Sequence, residues 1–217
     1  ERRDLGEEPT REREAKRTIF WEVDTQYDFM PADGRLYVGG SEDIITTLEA
    51  LTAYAHANGI TIVASADDHV PGHRELSDAP DFRETFPPHC MRGTPGQGKI
   101  RETALRNPLI IEPDAQDPAT LARRVAAHDG DILFHKHWFD VFTNPNVLPV
   151  LDALRPDRVV LYGVALDVCD RYAIEGLMAH RPGIALALVT DAARAIDPAA
   201  GAALIDEWRP RGVSMVT

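Results

Sequence analysis

Cys169 closes the run Gly163-Val164-Ala165-Leu166-Asp167-Val168-Cys169, which follows a strand-like stretch and opens a helix-like one, Val168 to about His180. A thiol in the first turn of a helix feels the positive end of the helix dipole, which favours thiolate. That placement suits a nucleophile, whereas a cysteine without it is more often a small buried apolar residue. Asp24, Asp67, His69 and Lys136 also follow strand-like runs. A second group lies in Ala66-Asp67-Asp68-His69-Val70-Pro71-Gly72-His73 and Phe86-Pro87-Pro88-His89-Cys90-Met91-Arg92-Gly93-Thr94. One aspartate, two or three histidines and a nearby cysteine suit a divalent transition metal. Cys90 is the poorest ligand among them, because adjacent residues rarely aim at one ion. The stretch from Ala66 to about Lys99 has little periodicity, and a loop of that length in a compact domain is usually functional.

The elements that must position these residues alternate. Strand candidates are Thr18–Val23, Ile60–Ser65, Asp131–Phe134, Arg158–Gly163, Ile184–Val189 and the short Gly212–Val216. Their apolar runs are continuous, as in strands covered on both faces. Between them lie helix signals. Ser41 precedes the stripe Ile44, Ile45, Leu48, Leu51, which closes at Asn58-Gly59. Asp117-Pro118, Asn144-Pro145 and Asp197-Pro198 each pair a capping side chain with proline in the first turn. Repeated β–helix–β alternation predicts a three-layer α/β/α domain with a mostly parallel central sheet. Such sheets bind ligands beyond the carboxyl ends of their strands, where the candidate residues fall.

Composition limits the partners. The 217 residues carry 23 basic and 35 acidic side chains, a net charge of −12, which disfavours a nucleic-acid partner. No apolar run approaches the roughly 20 residues of a membrane span. Residues 1–17 alternate acids and bases and read as a charged, disordered arm rather than a targeting peptide. Residues 18–217 form one domain. Two cysteines make no disulfide framework, so a reduced, cytoplasmic setting is expected.

The motifs resemble those of the isochorismatase-like cysteine hydrolases, a family that includes nicotinamidases. Gly-Val-Ala-x-Asp-x-Cys at 163–169 resembles the nucleophile motif. Val23-Asp24-Thr25-Gln26-Tyr27-Asp28-Phe29 resembles the first-strand signature, Asp-x-Gln-x-Asp-Phe. Lys136, in Phe134-His135-Lys136-His137, matches the third catalytic position, and Asp-x-His-x-x-x-His with Pro-x-His-Cys-x-x-Gly-Thr resembles the nicotinamidase metal loop. The resemblance spans about Thr18 to Val189.

The resemblance implies an isochorismatase-like, Rossmann-like fold and a division of roles. Cys169 is the nucleophile, Asp24 the acid and base, and Lys136 the cation that stabilises both anions. Ala165 and Cys169 supply the oxyanion amides, and the Val164–Ala165 peptide is cis. Asp67, His69 and His89 are metal ligands, with His73 as a fourth ligand or a group behind them. The ion is divalent (Zn, Fe or Mn), zinc being favoured. Phe29, Phe86, Val164 and His137 are expected in the substrate pocket. His135 and His137 depart from the small residues expected after this lysine. The implied reaction converts nicotinamide, held by its ring nitrogen at the metal, to nicotinate and ammonia through a thioester. The alternatives are an amidase of the same superfamily acting on a carbamoyl, ureido or maleamate-type substrate, and a non-catalytic binding protein. A small-molecule amide substrate, no nucleic acid or membrane, and a homo-oligomer are expected.

Overall fold

The apolar runs become seven strands: β1 (Thr18–Val23), β2 (Ile62–Asp67), β3 (Leu109–Ile111), β4 (Ile132–Lys136), β5 (Arg158–Val164), β6 (Ala185–Arg194) and β7 (Ser214–Val216). They pair in the order β3-β4-β2-β1-β5-β6-β7, and every pair is parallel. The structure, a computed structural model, describes residues 17–217. The expected arm therefore lies outside the described residues except for Arg17, whose amide donates to Asp157 Oδ2 at 2.8 Å.

Successive side chains of a strand point to opposite faces, so each strand feeds two apolar layers. Ile19, Trp21 and Val23 of β1 pack on one side with residues of α2 (Pro118–Ala126), α3 (Val147–Leu154), α4 (Cys169–His180) and α5 (Pro198–Trp208). Phe20 packs on the other with Ile44, Leu48 and Ala55, the last two from α1 (Ile45–Ala57). Among the described residues, no helix is long and apolar enough to cross a membrane.

Two of the expected caps form. Asp117 accepts from the Thr120 amide at 2.8 Å, and Asp197 accepts from the Ala199 amide at 2.9 Å. Two do not. Ser41 donates instead to the carbonyls of Phe29 and Met30, at 3.0 and 2.7 Å. Asn144 donates to the carbonyls of Ile111 and His135, tying the ends of β3 and β4, and α3 starts only at Val147. Ser41 thus makes no cap, while Asn144 Oδ1 accepts from the Asn146 amide at 3.0 Å in the turn ahead of the helix, whose N-cap is Asn146.

From β1 the sheet grows in two directions, towards β2 and β4 on one side and β5 to β7 on the other. A crevice opens where the order reverses, at the carboxyl ends of the strands. Gly163 adjusts its near wall. It has φ +132°, and a Cβ there would lie 2.1 Å from the Val23 carbonyl oxygen, so only glycine lets β5 approach β1 so closely.

Candidate active site

Four elements deliver the acid–base cluster. Asp24 follows β1, Asp67 ends β2, Lys136 ends β4, and Cys169 begins α4 just beyond β5. All four are buried. Lys136 Nζ lies 2.9 Å from Asp24 Oδ2 and 3.6 Å from Cys169 Sγ, and it also pairs with Asp67 Oδ1. Ser65 Oγ donates to the other Asp24 oxygen at 2.7 Å. One ammonium thus touches the thiol and two carboxylates.

Burial governs the charges. It opposes the Lys136 charge, but Asp24 and Asp67 outweigh it and hold the lysine protonated well above its usual range. Burial raises the Asp24 carboxyl, making it a stronger proton acceptor than an exposed aspartate. It also pushes the Cys169 thiol well above the ordinary range, and the nearby Lys136 does not reverse this. The shift runs opposite to the one expected from the helix dipole, because burial outweighs the nearby cation.

The Val164–Ala165 peptide is cis. The Ala165 carbonyl accepts from the amides of Val168 and Asp170 at 3.0 and 3.1 Å, which curls the chain into the helix. Among the described residues, the amides of Ala165 and Cys169 find no acceptor, and both residues line the pocket.

A second buried cluster adjoins the first through Asp67. It comprises Asp67, His69, Glu75 and His89, one ligand atom from each lying within 4.8 Å of the others. His89 Nε2 is 3.4 Å from Asp67 Oδ2 and from Glu75 Oε1, and His69 Nε2 is 3.8 Å from Glu75 Oε1. Asp67 Oδ2, Glu75 Oε2 and both Nε2 atoms are buried with no hydrogen-bond partner among the described residues. Burial lowers the His69 imidazole to about 4. Burial would lower His89 too, but Asp67 and Glu75 win and push it up to about 10. The two carboxylates draw positive charge inward, and two imidazole nitrogens with two carboxylates are a donor set for a divalent transition metal.

Local backbone pairing makes this cluster. The His69 amide donates to the Cys90 carbonyl at 3.1 Å and the Arg92 amide to the His69 carbonyl at 2.7 Å, bringing His89 to His69. The Phe86 amide donates to the Glu75 carbonyl at 2.7 Å, fixing Glu75 opposite. Gln26 holds the third corner, accepting from the Asp67 amide at 2.7 Å and donating to its carbonyl at 2.8 Å. Glu75 was not among the sequence candidates. It shares its loop with Asp78, Asp81 and Glu84, and only the pairing with Phe86 separates it from them. His73 stands outside the four-residue cluster, with its Nδ1 3.1 Å from His69 Nδ1.

The pocket above Cys169 is bounded by both clusters. Phe29 and Phe86 line it, joined by Leu36, Val38, Phe139 and Ile196, which sequence reasoning did not single out. Ring packing of Phe29 on His89, centroids 5.4 Å apart, sets one wall against the Asp67, His69, Glu75 and His89 cluster. Val164 does not line the pocket; it is buried in the core on the α1 side. His137 is not there either. Because Lys136 points into the site, alternation turns His135 and His137 the other way. His137 borders an outer depression with His73, Arg74 and Trp138.

Known proteins share this arrangement of elements. The isochorismatase-domain family model matches residues 111–217. A nicotinamidase/pyrazinamidase of Mycobacterium tuberculosis (strain ATCC 25618 / H37Rv) is 28% identical over 197 residues, covering 89% of this chain and 95% of that protein. The crystal structure of the pyrazinamidase of Pyrococcus horikoshii in complex with zinc superposes with a TM-score of 0.71 at 24% identity, covering 93% of this chain and 99% of that one. An N-carbamoylsarcosine amidase from Thermoplasma acidophilum superposes with a TM-score of 0.67 at 21% identity, over 92% and 95% of the two chains. At these identities the structural likenesses are likenesses of fold.

Proposed function

We propose that this chain, which belongs to the isochorismatase family of hydrolases and is an amide hydrolase, converts nicotinamide to nicotinate and ammonia through a thioester on Cys169. The observation that carries the reading is the pocket. Its floor holds the thiol, one side borders the two-imidazole, two-carboxylate cluster, and the remaining walls are apolar or aromatic. Among the described residues that line it there is no arginine or lysine. A flat, uncharged ring with one metal-seeking nitrogen suits such walls. A carboxylate-bearing substrate of the maleamate type would lose its hydration against the apolar walls and find no arginine or lysine there.

The roles follow from the charges. Asp24 takes the Cys169 proton, and the sulfur attacks the carboxamide carbon while Lys136 balances the anions. The amides of Ala165 and Cys169 hold the oxyanion. Asp24 then passes the proton to the leaving amine, so that ammonia departs and the thioester remains. Asp24 next removes a proton from water, which releases nicotinate and restores the thiol. Asp67, His69, Glu75 and His89 would hold a divalent ion, and zinc suits their nitrogen and oxygen donors. When bound, that ion supplies a Lewis acid for the pyridine nitrogen.

Ammonia release from nicotinamide, benzamide, maleamate and a small ureide tests the reading. We expect kcat/KM for nicotinamide to exceed that for benzamide by at least about a hundredfold, because a site built around one polar contact loses heavily without it. Equal rates for those two would remove the ring-nitrogen contact. Preference for maleamate or the ureide would assign the enzyme to another amidase of the family, and no turnover of any would leave a binding protein.

A further inference from the structure

We propose that His73 is a positioning residue for the metal cluster, acting through His69 and braced by His137. The inference rests on the metal reading of the cluster and not on the identity of the substrate.

The two imidazoles meet Nδ1 to Nδ1 at 3.1 Å, so one of these nitrogens must carry the proton and the other accept it. The neighbouring backbone decides which. The Val70 N–H also points at His73 Nδ1, at 3.4 Å. A nitrogen faced by a backbone N–H is an acceptor, so His69 donates from Nδ1 and His73 keeps its proton on Nε2. His69 Nε2 is then left with a lone pair, and this is the atom 4.0 Å from Asp67 Oδ1 and 3.8 Å from Glu75 Oε1. The opposite tautomer would put an N–H into the cluster, where a cation must sit.

His89 would present a free Nε2 to an ion by a more usual route, its Nδ1 lying 2.7 Å from the Pro87 carbonyl oxygen. A carbonyl can only accept, so that tautomer needs no further control. An imidazole acceptor can rotate or change tautomer, and His73 is accordingly held from behind. The His137 ring packs on it with centroids 4.3 Å apart. His137 Nε2 lies 3.7 Å from Asp68 Oδ2, and Asp68 is itself fixed by Arg92 and by Gln97 Nε2 at 2.6 Å. This accounts for the histidine after Lys136, which lies outside the pocket and packs on His73.

The test reads metal affinity without substrate. Zinc dissociation constants are measured on the full chain by competition with a chromophoric chelator. We expect His73→Ala to weaken zinc by about 10- to 100-fold, the usual effect of losing a partner behind a metal-bound histidine. His73→Gln, whose amide oxygen can accept from His69 Nδ1, should recover most of the loss. Its cobalt(II) derivative should keep the wild-type visible spectrum, because the donor set is unchanged. Unaltered zinc affinity in His73→Ala would overturn the proposal. A changed cobalt spectrum in His73→Gln would overturn it too, by making His73 a ligand. Should His73→Ala not fold, His73→Leu keeps the bulk and drops the acceptor, with the same expected loss. His137→Ala should weaken zinc several-fold, and no change there would remove the brace.

Discussion

A thiol raised by burial becomes a nucleophile only if its proton has somewhere to go, and Asp24, across the same lysine, is the nearby base. Cys169→Ala should therefore abolish ammonia release while the melting temperature stays close to wild type, since one small buried group replaces another. Cys169→Ser should be nearly as inactive, because Asp24 cannot readily deprotonate an alcohol. Substantial turnover by either purified variant would remove the thioester route. Lys136 is more exacting. Lys136→Met would leave Asp24 and Asp67 buried without their cation, a change that destabilises by about 3–5 kcal/mol. Denaturant titration should show that loss, with part of it recovered in the double variant Lys136→Met, Asp24→Asn. At this scale Asp24, Asp67, His69, Lys136 and Cys169 could be picked as candidates from strand ends, and His89 from the resemblance of its motif. Glu75, Phe139 and Ile196 could not, because loop pairing and packing, not periodicity, bring them to the pocket.

Helix α4 carries a feature that the placement of Cys169 does not require. Asp170, Ala173, Ile174 and Leu177 form its buried stripe, so a carboxyl occupies an otherwise apolar face. Both Asp170 oxygens are without a hydrogen-bond partner among the described residues. Burial, then the nearby Asp24 and Asp167, raise its carboxyl well above the usual range. The folded chain keeps that proton where the unfolded chain, with a pKa of about 3.9, has released it. The contribution of this one carboxyl to stability is thus fullest below about pH 4 and is lost as pH rises through its folded-state value. Asp170→Val should raise the melting temperature at pH 8 and by less at pH 5; an equal gain at both would mean that the carboxyl does not titrate on unfolding. The sheet was legible in outline because strands covered on both faces read as continuous apolar runs. Strand β3 was missed because three residues, with Ile110 exposed, carry no such run. Ser41 and Asn144 read locally as caps, but Ser41 and the Asn144 amide group donate to carbonyls in distant segments that local sequence does not disclose, and Asn144 Oδ1 caps only the turn before α3.

Across the whole domain, the metal cluster is peripheral to what folds the chain. The sheet buries an apolar layer on each face, and neither layer depends on Asp67, His69, Glu75 or His89. The loop that carries them is held by its own backbone pairing and by Gln26. Chelation should stop turnover or raise KM sharply while leaving the domain folded. Its thermal effect can be bounded. An ion present at a hundred times its dissociation constant stabilises by about 2.7 kcal/mol. In a chain of this size each kcal/mol moves the melting temperature by roughly 2–4 °C. Removal of metal should therefore lower it by roughly 5–11 °C, with repulsion between the bared carboxylates of Asp67 and Glu75 acting in the same direction. Differential scanning calorimetry with and without chelator, alongside circular dichroism at 25 °C, measures both. Loss of secondary structure at 25 °C on chelation would make the ion part of the fold. It would also undo the separation between a scaffold that folds alone and a metal that serves the substrate.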